Sequence, residues 1–324
     1  MIGFKEVLFS RERINKYVYI TPLEKSPYLS NENTNIYYKL ENQQKMKCAK
    51  VRGAFSKITN LSPEEIAKGI VAISSGNHGA AVSYASYLLG IENTTVYVPE
   101  TTPSSKVEKI QYYGANVVKV GKNYDEAHEI GGEKIKSSGA IFIDPCSDPT
   151  VIAGQGTIAM EILEQEPSID TILVPIGGGG IITGISIAAK HINPDIKIIG
   201  VQTAACPAMV ASLRDEQFYE MYPTGESICD ALVGGVGEIP YKMAKDCIDE
   251  IIVVEEEDIA DAIKFLLFKE KILVEPAGAV GVAAVRKNPE LFEGKNVAIV
   301  ITGGNIDEEL LLKILNKNGW YQTI

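Results

Sequence analysis

The chain has 324 residues, 45% hydrophobic and 23% charged, a balance that suits a soluble globular protein of two lobes or one domain with an insert. Its formal net charge of -11 disfavours nucleic acid or an anionic membrane as the main partner, because both reward basic surfaces. Cys48, Cys146, Cys206, Cys229 and Cys247 form no C-x-x-C pair, so neither a zinc site nor a disulfide framework is indicated, and a reducing cytoplasm is the expected setting.

The N-terminal stretch MIGFKEVLFSRERINKY carries charges where a secretory signal needs an apolar run. A strand is expected at Ile36–Lys39. The segment CAKVRGAF then sets Lys50 among small residues, read as a tight apolar turn. A lysine there is either one more solvated charge or an amine that gives up its proton and becomes free to condense with an aldehyde. The strand Gly69–Ile73 runs into Ser74-Ser75-Gly76-Asn77-His78-Gly79 and a helix over Gly79–Leu89. Hydroxyls, an amide and free N–H groups at a helix start suit a carboxylate or phenolate oxygen, or else an ordinary N-cap. Strands at Thr94–Val98, Asn116–Val120 and Ala140–Ile143 alternate with helices at Lys106–Tyr113 and Tyr124–Ser137, and a further helix covers Ile152–Glu164.

The strand Thr171–Pro175 leads to Gly177-Gly178-Gly179-Gly180 and a helix that starts near Ile181 and ends near His191. Consecutive glycines let backbone N–H groups curl around an oxyanion at the positive end of the helix dipole. A packed turn is the alternative, although such a run is entropically costly without a ligand. Ile182 breaks the dinucleotide spacing G-x-G-x-x-G, which weakens a nicotinamide reading. The uncharged stretch Thr171–Ala189 has membrane-like length, but Pro175 and its glycines fit strand, loop and helix better. Strands follow at Lys197–Gln202, Glu250–Val254 and Val297–Thr302, with helices at Glu257–Lys269, Ala277–Asn288 and Glu308–Asn318. The last strand ends in Thr302-Gly303-Gly304-Asn305. Continuous apolar strands joined by helices mean α/β sheets that are largely parallel, with ligands at the strands' carboxyl ends. His78, His128 and His191 have no H-x-x-x-H partner, which leaves little support for a histidine metal site or a Ser-His-Asp triad.

Taken together, Thr21-Pro22-Leu23, KLENQQ (39–44), KVRGA, SSGNHG, YGANVV, VIAGQGTIAMEI, VPIGGGG, EPAGA (275–279) and TGGN resemble, in order, the fold type II pyridoxal-phosphate enzymes of the threonine/serine dehydratase and serine racemase group. The resemblance implies a tryptophan synthase β-like fold of two three-layer α/β domains. A large domain would comprise 1–56 and 146–324, with a small mobile one, 57–145, inserted. It implies pyridoxal 5'-phosphate held by Lys50 as a Schiff base, by Asn77 at the ring hydroxyl, by Gly177, Gly178, Gly179 and Gly180 at the phosphate, and by Glu275 and Thr302. Thr302 would meet the pyridine nitrogen, a neutral partner that favours prompt loss of a β-substituent. Ser74, Ser75, Asn77 and His78 would bind the substrate carboxylate. A cytoplasmic homodimer is implied, without the C-terminal regulatory domain of biosynthetic threonine dehydratases.

The implied reaction is α,β-elimination from a β-hydroxy amino acid such as threonine or serine, with Lys50 as general base, giving a keto acid and ammonia. Ser75 opens an alternative, because serine racemases carry serine there as an acid/base opposite the lysine. A non-catalytic, cofactor-bound sensor is a third reading, prompted by departures beside the lysine. The usual T-G-S-F-K reads Met46-Lys47-Cys48-Ala49-Lys50, the glutamine after SGNHG is Ala80, H-P-[FY] reads Asp144-Pro145-Cys146, and A-D-G reads Cys229-Asp230-Ala231. The family's divalent-metal motif, E-x-x-x-A-x-D, falls on Gln202–Ala208 without either carboxylate, so no metal is expected.

Overall fold

The computed structural model describes residues 2–122 and 124–316. Its strands are β1 (Leu23–Lys25), β2 (Asn35–Lys39), β3 (Ile70–Ile73), β4 (Thr94–Val98), β5 (Asn116–Lys119), β6 (Ile141–Phe142), β7 (Thr171–Pro175), β8 (Lys197–Thr203), β9 (Glu250–Val254) and β10 (Asn296–Val300). The helices in chain order are α1 (Phe4–Ile14), α2 (Lys50–Ile58), α3 (Pro63–Ala67), α4 (Asn77–Leu88), α5 (Ser104–Gln111), α6 (Tyr124–Ser138), α7 (Pro149–Gln165), α8 (Gly180–Ile192), α9 (Ala208–Arg214), α10 (Glu238–Cys247), α11 (Glu256–Phe265), α12 (Pro276–Lys287) and α13 (Glu308–Asn316).

Six strands form one sheet in the order β1-β2-β10-β7-β8-β9, in which the short edge strand β1 pairs antiparallel with β2 and the other pairs are parallel. The second sheet, β5-β4-β3-β6, is parallel throughout. The α/β class is the one expected from the apolar strands, and the two sheets are what the family resemblance implied. β7 is buried along its whole length because helices cover both faces of its sheet. One face packs on α11 and α12 through Ala262, Ile263, Val280 and Ala284. The other packs on α7 and α8 through Ile158, Ile162, Ile182 and Ile185, each such side chain contributing about 1.5–3 kcal/mol on burial. A third core joins the smaller sheet to α2, α4 and α5. Among the described residues no helix is long and apolar enough to cross a membrane.

Two expectations need correction. Lys50 does not sit in a turn; it is the first residue of α2. Val51, Ala54, Phe55 and Ile58 recur at helical spacing and are buried against the smaller sheet's core, while Ala49 joins the core of the larger sheet. The helix that carries the lysine is thus wedged between the two cores. α4 starts at Asn77, two residues before the expected Gly79. The end of the last expected helix, beyond Asn316, lies outside the described residues.

Close helix crossings hold α2 in place. A Cβ on Gly154 of α7 would come 2.5 Å from the Arg52 carbonyl oxygen, and one on Gly184 of α8 would come 2.2 Å from the Ile152 carbonyl oxygen. Glycine at these two positions lets α2, α7 and α8 approach at backbone distance. α7 starts with Pro149 in its first turn and with Asp148 accepting from the N–H groups of Thr150 and Val151.

Candidate active site

The carboxyl ends of β3, β7 and β10 and the start of α2 meet at one place. Ala49 N–H donates to the Thr302 carbonyl at 2.9 Å, and Cys48 bridges to Gly303, which fixes Lys50 beside the end of β10. Glu275 N–H donates to Gly303 O, and Asn77 Nδ2 donates to both carboxylate oxygens of Glu275, at 2.8 and 3.0 Å. Those contacts join the turn after β3 to the first turn of α12. The Lys50 amine makes no hydrogen bond or ion pair with any described residue, although it lies close enough to His78 and Cys146 to influence both electrostatically.

Two helix starts add free donors. α4 has no side-chain cap, and among the described residues the N–H groups of Asn77, His78 and Gly79 have no backbone acceptor. Ser74 Oγ accepts from Gly76 N–H, while the hydroxyls of Ser75 and Thr302 have no partner among the described residues. In the tetraglycine turn the N–H groups of Gly177, Gly178 and Gly179 likewise find no acceptor there. Gly179 is left-handed, with φ +90. A Cβ on Gly178 would lie 2.2 Å from Cys146 Sγ, and one on Gly177 would lie 2.9 Å from the Ala231 carbonyl oxygen. Packing and free donors therefore coincide: the glycines let the turn press against Cys146 and Ala231 while its N–H groups stay available to an oxyanion.

Electrostatics sharpen the picture. His78 Nε2 pairs with the Ile143 carbonyl at 2.7 Å, so Nε2 carries the proton and Nδ1 is a buried acceptor without a partner. Burial, with Lys50 nearby, pushes the His78 pKa down to about 4, which keeps the ring neutral. Burial raises the Glu275 pKa above the usual carboxylate range, against the pull of Asn77. Burial also pushes Cys48 up to about 12 and raises Cys146 and Cys229, so the three cysteines that replace familiar residues persist as thiols. Gln202 occupies the place of a motif carboxylate, and its Oε1 accepts from the N–H groups of Met209 and Val210 at the start of α9.

Behind the lysine lies a buried charge network that the motif reading missed. Arg52 donates to Glu41 through Nε and Nη2, both at 2.7 Å, and to Glu161 through Nη1 at 2.6 Å and Nη2 at 2.9 Å. Lys39 completes it with a 2.6 Å bond to Glu161. The signal was present: Arg52 lies two residues after Lys50, and Glu161 is the first charge in the helical run that starts at Pro149. The turn before the lysine is strained, since Met46 (φ 60) and Lys47 (φ 58) are both left-handed without being glycine. That conformation explains why the related motif has glycine where this chain has Lys47.

A family model described as pyridoxal-phosphate dependent enzyme matches residues 14–303. The L-threonine ammonia-lyase of Thermotoga maritima is 43% identical over 319 residues, covering 98% of this chain and 79% of the relative. Maize serine racemase superimposes with a TM-score of 0.90 at 33% identity, covering 97% of each chain. The processed form of threonine deaminase isoform 2 from Solanum lycopersicum superimposes with a TM-score of 0.91 at 32% identity, covering 96% of this chain and 87% of that one.

Proposed function

Because this chain belongs to the pyridoxal-phosphate dependent enzymes, we propose that it is a lyase that eliminates the β-hydroxyl of an amino acid such as threonine or serine as water, the resulting enamine taking up water again as it hydrolyses, so that the net products are a keto acid and ammonia. The observation that carries the reading is the unpartnered amine of Lys50, set at the strand ends with the two uncapped helix starts of α4 and α8.

The residues fit the cofactor. The free N–H groups of Gly177 to Gly179 suit its phosphate, with Gly180 opening the helix behind them. Asn77 and Thr302 suit the ring hydroxyl and ring nitrogen, and Glu275 orients Asn77. When bound, pyridoxal phosphate supplies an electron sink that acidifies the Cα–H of an attached amino acid. Lys50 would hold the group, and its Nζ would take the Cα proton of the substrate. The N–H groups at the start of α4, that of His78 included, with the Ser74 and Ser75 hydroxyls would hold the carboxylate and so fix which Cα bond faces Lys50, whereas the His78 ring, its one N–H spent on the Ile143 carbonyl, has no donor left for it. We assign the small domain to 57–145 and the large one to 1–56 and 146–324, with closure excluding water. The working form is read as a cytoplasmic homodimer acting on a free amino acid, with no nucleic acid or membrane partner.

Gly178→Ala tests the cradle. The added methyl collides with Cys146 Sγ and displaces the turn, so pyridoxal phosphate should bind at least about tenfold more weakly. Fluorescence titration of the cofactor-stripped protein measures this, and an unchanged affinity would remove the turn from the site.

One observation supports a second reading, racemisation: the Ser75 hydroxyl has no partner among the described residues, which leaves it available as a second acid/base. Incubating L-serine, L-threonine and L-aspartate with the enzyme in deuterated water decides between them. Keto acid is the expected product and marks elimination; a deuterated D-isomer, lost in Ser75→Ala, marks racemisation. A cofactor band that responds to amino acids without any product would mark a sensor.

A further inference from the structure

Asn77 has an amide whose two ends are alike in shape and opposite in function, so its use at a cofactor depends on which end points inward. Glu275 does not settle this alone, because burial raises its pKa and a protonated carboxyl can donate as well as accept. The other end of the chain of contacts does. Asn77 Oδ1 accepts from Asn305 Nδ2 at 2.7 Å, and the same Nδ2 donates to the Met46 carbonyl at 2.8 Å. Asn305 Oδ1 accepts from Lys109 Nζ at 2.7 Å. A lysine ammonium only donates and a carbonyl only accepts, so Asn305 has a single satisfactory orientation. It imposes one on Asn77, with Oδ1 toward Asn305 and Nδ2 toward Glu275.

Lys109 reaches across from elsewhere. It lies on α5, which packs against β5 and α4 of the smaller sheet, whereas Asn305 follows β10 of the larger one. One turn earlier on the same face, Lys106 pairs with Asp230 at 2.8 Å. The Asp230 side chain is 70% exposed, so that pair is screened and contributes little. Lys109 and Asn305 are half-buried, and a charge-assisted bond counts for more there. The same bond supports Asn305 where it braces the left-handed Met46, four residues before Lys50.

We propose that Lys109 is a positioning residue: through Asn305 it orients the Asn77 amide and steadies the strained turn before Lys50, so that α5 meeting the larger sheet and assembly of the cofactor site are one event. This rests on the reading of Asn77 as a cofactor ligand.

The test uses the full-length holoenzyme. Lys109→Met should weaken pyridoxal phosphate binding about tenfold and move the pH midpoint of the bound cofactor's visible band by about one unit. Lys109→Arg, which keeps a cationic donor, should restore both, and Lys106→Met should behave as wild type. Asn305→Asp supplies a second arm: it is isosteric and still pairs with Lys109, yet it presents only acceptors to Asn77 and Met46, so it too should shift the band. Melting of the stripped proteins should stay within about 2 °C, which separates positioning from general loosening. A Lys109→Met or Asn305→Asp enzyme with the wild-type band and affinity overturns the proposal and leaves the functional reading intact. A wild-type protein that shows no cofactor band overturns both.

Discussion

Lys50→Ala should abolish turnover, lowering kcat by at least about a thousandfold, and should remove the visible band of lysine-bound cofactor, while leaving the fold as stable as before. The two halves of this expectation have separate origins. The activity half follows from the role proposed for Nζ. The stability half follows from geometry. The Lys50 amine bonds to no described residue, and the position is the first of α2, where alanine is a good helix former. Its loss should therefore change unfolding free energy by no more than about 0.5 kcal/mol. Product assays, absorbance and thermal unfolding of the stripped protein check the three parts. Retained turnover with retained absorbance would refute the assignment of Lys50, and loss of activity through a large drop in melting temperature would point to a structural lysine instead.

Arg52→Met should do the opposite, costing about 3–5 kcal/mol of stability. Arg52 and both of its carboxylate partners are buried, with side-chain exposures of 0% for Arg52 and Glu41 and 6% for Glu161. Assembling two cations and two anions in the core gains little over an apolar core of the same shape, because each ion costs several kcal/mol to dehydrate. Removing one cation is different, since it leaves the Glu41 carboxylate with the Thr21 hydroxyl alone and Glu161 with the Thr21 N–H and Lys39, whose own pKa burial lowers. Pairing Arg52→Met with Glu41→Gln should recover part of the loss, which unfolding by denaturant would register. The sign with pH follows from Glu161. Burial raises its pKa, but Arg52 and Lys39 overcome that and hold it below the usual carboxylate value. Its contribution is therefore present above the unfolded-state pKa of about 4.3 and lost as pH falls through the lower folded value. Arg52→Met should bring acid unfolding to higher pH. Because Arg52 stands two residues from Lys50 on α2, activity should fall alongside stability, unlike in Lys50→Ala.

Much of this protein could be read without coordinates. Apolar runs such as TILVP and NVAIV specify strands buried on both faces, and glycine runs after them specify turns at their carboxyl ends, because backbone freedom and burial are local properties. Lys50, Ser74 to His78 and Gly177 to Gly180 could be singled out from their own segments, whereas Glu275 and the role of Thr302 came from the family resemblance. What stayed hidden depends on distance along the chain. The helical stripe Val51, Ala54, Phe55 and Ile58 has meaning only once two cores exist for α2 to divide between them. Arg52 and Glu161 are 109 residues apart, and Lys109 and Asn305 are 196. Nothing at one end of such a pair announces the other, since a charge in a sequence is a solvated surface group until folding removes its water. Composition and periodicity determined the α/β class, and motifs with the family resemblance supplied the residue types of the site. Tertiary structure alone decided which of those residues are held, by what, and in which orientation, because a buried charge or amide has to find its partner in space.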